Sequence, residues 1–159
     1  MFSEQEMASP ILRRKSVKAN NSAVIKTTIS GDFGDMAVDE AAPAGTGTGP
    51  SPLQAVMGAL CGCLAITFRR VATDRNFEYA HLDMEAEFSI DIRGRLGMQG
   101  VLPYFHQVTV IALVTTRESA QTLAAVGQET LLRSPVYNLL KDTAAKLDVQ
   151  WRCITVQVA

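Results

Sequence analysis

The chain has 159 residues, 47% hydrophobic and 19% charged, which is enough for one well-buried core and too few for two ordinary domains. Its 15 Lys and Arg nearly balance its 16 Asp and Glu, and the formal net charge of −1 provides no global field to attract nucleic acid or an anionic membrane. Three cysteines, an odd number, argue against a disulfide framework, so any special role for them is a reactive one.

Residues 1–10 read as a flexible N-terminal arm, and residues 11–159 as a single domain. The opening MFSEQEMASPILRRKS holds no apolar run of signal-peptide length, so a cytoplasmic chain is expected. Leu12 to Ala19 and Ala23 to Ile29 mix β-branched residues with Lys, Ser and Thr, as half-exposed strands do, and Asn20-Asn21 between them suits a turn. A further turn at Gly31 to Gly34 and a short strand at Met36 to Asp39 complete a three-stranded meander.

The small-residue loop AAPAGTGTGP, residues 41–50, leads into a helix from Pro52 to about Thr73. Ser51 suits the N-cap, Pro52 the first helical position, and Gln54 the position that closes a capping box. The apolar block Leu53 to Phe68 is about 16 residues long, short of the roughly 20 that span a bilayer, and is expected to be a core helix. It is apolar on every side and must therefore be covered all round. The rest of the chain has little material for that, so a homodimer is expected.

Leu82 to Ile92 alternates fully between apolar and polar residues and reads as a strand with one wet face. The glycine-rich GRLGMQG, residues 94–100, joins it to a second strand, Tyr104 to Thr116, in a hairpin. A helix is expected over Arg117 to Leu132, another from Ser134-Pro135 to about Lys146, and a last strand over Val149 to Val158 with Trp151 and Cys153 on one face. The order βββ-α-ββ-αα-β gives an α+β fold with helices packed on antiparallel sheet.

Cys61 and Cys63 lie two residues apart, hence about 200° apart around a helix, and can neither bond to each other nor share a tetrahedral metal. The two histidines, His81 and His106, fall in or beside strands, and neither a metal site nor a cofactor is expected. By residue type alone each cysteine is a small buried hydrophobe.

Ser51-Pro52, an apolar helix with Cys63 eleven residues after the proline, and Ser134-Pro135-Val136-Tyr137-Asn138 opening a later helix together resemble the OsmC/Ohr family of thiol-dependent hydroperoxide reductases. The likeness runs from about residue 15 to the closing strand and includes the element order. It implies an OsmC-like fold, with antiparallel sheets around a long central helix, in an intertwined homodimer with two sites at the subunit interface. It also implies that Cys63 is the candidate nucleophile, which attacks a peroxide oxygen as a thiolate and is oxidised to a sulfenic acid.

Three positions depart from the family pattern. The resolving cysteine is replaced by Ser134, which cannot form a disulfide. The glutamate that follows the proline is replaced by Leu53. The loop from Met36 to Pro50, where family members carry an activating arginine, has none, which leaves Arg13, Arg14, Arg69 and Arg70 as substitutes. Cys63 also lies about three turns inside its helix, beyond reach of the helix dipole.

Two functions stay open. One is a single-cysteine redox protein that reduces a small organic hydroperoxide and is itself reduced by an external thiol, with no nucleic-acid or membrane partner. The other is a catalytically reduced dimer that binds a small apolar ligand in its interfacial pocket. The residues expected to line that pocket are Gln54, Met57, Leu60, Leu64 and Tyr137, with Ser134 beside Cys63 at the resolving position.

Overall fold

In the first part of the chain, side-chain amides and hydroxyls do work that an apolar core does elsewhere. The computed structural model describes residues 10–155, so residues 1–9 of the expected arm lie outside the described residues. Two compact units meet in sequence between Leu53 and Gln54. The first is a meander of β1 (Lys18–Asn20), β2 (Thr27–Gly31) and β3 (Gly34–Val38), antiparallel throughout, with Ala19 opposite Ile29 and Ile29 opposite Met36. β1 is shorter than the alternation suggested. The turn after it is wider, because Asn21 Oδ1 accepts from the Ala23 N–H at 2.9 Å while its amide donates to the Lys26 carbonyl at 3.1 Å. Such Asx bonding offers the backbone an alternative to ladder pairing.

The small-residue loop is folded around one buried carboxylate. Asp39, 1% exposed, accepts from the Glu40, Thr46 and Thr48 backbone N–H groups and from both threonine hydroxyls. The Thr46 hydroxyl, at 2.6 Å, leads these donors in holding the carboxyl well below the ordinary range. Gly45 is required here, since a Cβ would lie 2.2 Å from the Glu40 carbonyl oxygen.

The second unit is built on α1 (Pro52–Asp74), which opens at the expected proline. Asn76, at φ 52°, turns the chain out of the helix, and the Phe77 N–H returns to the Ala72 carbonyl at 2.8 Å, a Schellman closure that drops Phe77 into the core. β4 (His81–Ile90) and β5 (Phe105–Thr116) form the expected hairpin, separated by the single-turn α2 (Ile92–Arg95). α3 (Ala120–Arg133) starts later than expected because Ser119, whose side chain accepts from the Thr122 N–H, is its N-cap.

α4 (Pro135–Lys141) opens on Ser134 as expected but stops well short of Lys146. Lys146 instead begins β6 (Lys146–Thr155), where ten ladder positions with β5 outweigh one further helical turn. The β4-β5-β6 sheet is mixed and not antiparallel throughout, because β6 runs parallel to β5. The α3–α4 crossover carries the chain back to the starting end, so it re-enters the sheet in the direction of β5.

One face of this sheet is apolar in register: Leu82, Val114 and Cys153 share a row, as do Met84, Ala112 and Trp151, and Phe88, Val108 and Leu147. It packs on Leu60, Leu64, Phe68 and Val71 of α1, all 0% exposed. Trp151 stacks on Phe68 with centroids 5.0 Å apart, and Gly127 of α3 allows the indole this close, since a Cβ there would sit 2.6 Å from the ring.

α1 meets the length and hydropathy of a bilayer-crossing helix, yet its sheet-facing stripe is core. Elsewhere on α1, Val56 and Ile66 are exposed, Ile66 by 61%.

Candidate functional site

The helical period sends the two neighbouring cysteines of α1 to different surroundings. Cys63 lies toward the junction of α3 and α4. There the Ser134 hydroxyl donates to Cys63 Sγ at 3.2 Å and accepts from the Tyr137 N–H at 3.4 Å. Ser134 is 0% exposed, and its dual role follows from sequence: it is the N-cap of α4, and α4 begins where α3 ends. The cap bond fixes the oxygen while leaving its proton for the sulfur.

Outside the pair lies an open pocket of about 440 Å³ lined by Cys63, Ile66, Thr67, Arg70, Arg133 and Pro135. Arg70 sits two turns beyond Cys63 on the same helix and has no acidic partner among the described residues. Arg133 is held at 2.7 Å by Asp74 and at 3.1 Å by Glu129, which also takes Arg75 at 2.5 Å. Hydrogen bonds donated by Arg75 and Arg133 hold the Glu129 carboxyl below its ordinary value, and those that Arg133 donates to Asp74 and Glu129 raise its guanidinium further. The result is a thiol with a hydroxyl donor on one side and, lining the same solvent-accessible space, the Arg70 guanidinium and the carboxylate-paired guanidinium of Arg133.

The expected site residues divide into three groups. Cys63 and Ser134 meet directly. Leu60 and Leu64 are fully buried in the core, on the sheet-facing stripe of α1 that their spacing selects. Gln54 and Met57 line a different pocket, of about 570 Å³, together with Cys61 and residues of β4. Tyr137 is half-buried against the core and reaches the site through its backbone N–H.

Of the four arginines considered as activators, Arg70 is at the pocket, while Arg69 bonds Thr73 of its own helix. Arg133 was not anticipated. Its place beside Ser134 and its i−4 partner Glu129 were readable from the sequence, but its other carboxylate partner, Asp74, 59 residues away, was not. Cys153 packs against the core and weakly approaches the Glu118 carbonyl at 3.9 Å.

A family model described as OsmC-like protein matches residues 45–150. No curated protein sequence matches the chain. Among solved structures, an OsmC-like protein from Mycoplasma pneumoniae superposes with a TM-score of 0.76 at 17% identity, covering 92% of this chain and all of that one. An organic hydroperoxide resistance protein OsmC from Legionella pneumophila gives 0.61 at 18% identity, over 92% of this chain and 100% of its own. The organic hydroperoxide resistance protein OhrB of Bacillus subtilis gives 0.58 at 17% identity, over 91% and 100% respectively. At these identities the likeness is one of fold.

Proposed function

This chain belongs to the OsmC-like protein family, and from that premise we propose that it is a thiol-based redox protein that reduces organic hydroperoxides through Cys63 alone and is recycled by an external thiol. The observation that carries this reading is the Ser134 hydroxyl 3.2 Å from Cys63 Sγ, at the mouth of a pocket with two guanidiniums. Two of the solved structures of like fold are those of organic hydroperoxide resistance proteins, which agrees with it.

In the first step the Cys63 thiolate attacks the outer oxygen of the hydroperoxide. An S–O bond forms, the O–O bond breaks, and sulfur supplies the electron pair. The leaving alkoxide takes up a proton as the alcohol, and Cys63 becomes a sulfenic acid. Arg70, on the wall of the same pocket, stabilises the alkoxide that develops during attack, as charge placed where charge appears should. Ser134 orients the sulfur with its hydrogen bond. Because Ser134 cannot form a disulfide, an external thiol attacks the sulfenic sulfur and expels water, and a second equivalent of thiol releases the reduced enzyme.

The working unit is a homodimer, for which the exposed apolar side chains Val56 and Ile66 of α1, Leu132 of α3 and Leu139 of α4 give the support. A cytoplasmic location fits thiol recycling. The rival apolar-ligand reading loses ground because Leu60 and Leu64 are buried in the core and the Cys63 pocket is rimmed by guanidiniums.

The test follows cumene hydroperoxide loss with and without dihydrolipoamide. About one equivalent consumed per chain without thiol, and continuing turnover with it, is the expected result. Failure to consume any peroxide under either condition overturns the proposal.

A further inference from the structure

The pocket on the opposite side of α1 has a composition of its own. Gln54, Met57, Gly58 and Cys61 of α1 face Met84, Ala86, Glu87 and Phe88 of β4 across about 570 Å³. Met57 and Cys61 are four residues apart on the helix, so their side chains stack on one face. Met84 comes from the apolar face of β4, and all three sulfur side chains belong to one packed cluster. Of the four methionines among the described residues, Met36 and Met98 are exposed, whereas Met57 and Met84 both line this pocket. No group of three or more His, Cys, Asp or Glu able to hold a metal occurs among the described residues, so a hard or borderline ion has no ligand set here.

We propose that Cys61, Met57 and Met84 form a binding site for a soft monovalent metal ion, Cu(I), with one thiolate and two thioethers as ligands. Thioether and thiolate ligands select Cu(I) over zinc, magnesium or calcium. On binding, the Cys61 S–H bond breaks, an S–Cu bond forms and the proton goes to solvent, while the thioethers bind without proton loss. The oxidation state of the metal does not change. A free thiol is protonated at neutral pH, so binding displaces one proton. Glu87 is the charged residue among those lining the pocket. This site is independent of the peroxide reading, which rests on Cys63 at the other face.

The experiment is an anaerobic titration of the full-length protein against the Cu(I)–bicinchoninate complex, followed by copper-edge X-ray absorption of the loaded protein. Withdrawal of one Cu(I) per chain, a sulfur-only first shell and unchanged binding in Cys63→Ser are expected. Cys61→Ser should abolish withdrawal, and the double variant Met57→Leu/Met84→Leu should weaken it at least about tenfold, as loss of first-shell ligands does. Affinity should fall roughly tenfold for each unit of pH decrease, the signature of one displaced proton. Thermal unfolding by circular dichroism establishes that each variant is folded, with Cys61→Ala replacing Cys61→Ser if serine disturbs the core. No withdrawal by the wild-type protein, withdrawal that survives loss of Cys61, a shell of nitrogen or oxygen, or thioether variants indistinguishable from wild type would each overturn the site.

Discussion

Cys61 and Cys63 are separated by a single glycine, yet the helix gives them opposite surroundings. Cys61 meets Met57, Met84 and Phe88, and burial disfavours its anion. Cys63 meets a hydroxyl proton and shares its pocket with Arg70 and Arg133. The same residue type thus becomes a soft apolar group on one side and a candidate nucleophile on the other, because angle around the helix axis, not distance along the chain, decides what a side chain touches.

The comparison breaks most visibly if the thiols are exchanged in function. Cys63→Ser is expected to abolish consumption of cumene hydroperoxide, while Cys61→Ser and a Cys153→Ser variant keep it, measured as peroxide loss with dihydrolipoamide. Next in size is the shared floor beneath both thiols. Leu64, 0% exposed, anchors α1 to the sheet, and Leu64→Ala should cost about 2–5 kcal/mol in urea unfolding through the cavity it leaves. A value under about 1 kcal/mol would mean that α1 is not seated as described.

A smaller effect sharpens the electrostatic half of the contrast. Arg70→Gln should slow oxidation of Cys63 by roughly tenfold, the order expected for losing one charge-stabilising contact, with no change in unfolding midpoint. Arg133→Gln should both slow oxidation and loosen the α1–α3 junction, since its guanidinium also holds Asp74 and Glu129. The smallest effect is a pH dependence on the Cys61 side. A thiol raised on folding contributes stability that is present below its unfolded value and lost as pH rises through the folded one. Wild type should therefore lose stability relative to Cys61→Ala only above about pH 8.5, read from melting temperatures across an alkaline series.

Much of this architecture could be read from residue patterns. Ser134-Pro135 marks the start of α4, and the cap bond to Tyr137 is there; complete alternation marks β4, and its even-numbered residues do face the core. Periodicity carries no information about strand direction, however, so the parallel entry of β6 beside β5 had to come from the tertiary crossover. A helical pattern likewise does not say where strand pairing will interrupt it, which is why α4 ends at Lys141. At the site, the i, i+2 spacing separates Cys61 from Cys63, but Leu60 and Leu64 read equally well as pocket wall or core floor until the sheet is in place. Arg133 was hidden because Asp74 reaches it from α1, 59 residues away.

The central claim is that Cys63, and not its neighbour two residues away, takes the peroxide oxygen. It is tested most directly by treating the full-length protein with one equivalent of cumene hydroperoxide in the presence of dimedone and locating the adduct by peptide mass spectrometry. Dimedone is expected on Cys63 with Cys61 and Cys153 unmodified, and a weaker adduct at Cys63 in Ser134→Ala. Dimedone on Cys61 with Cys63 unmodified would contradict it.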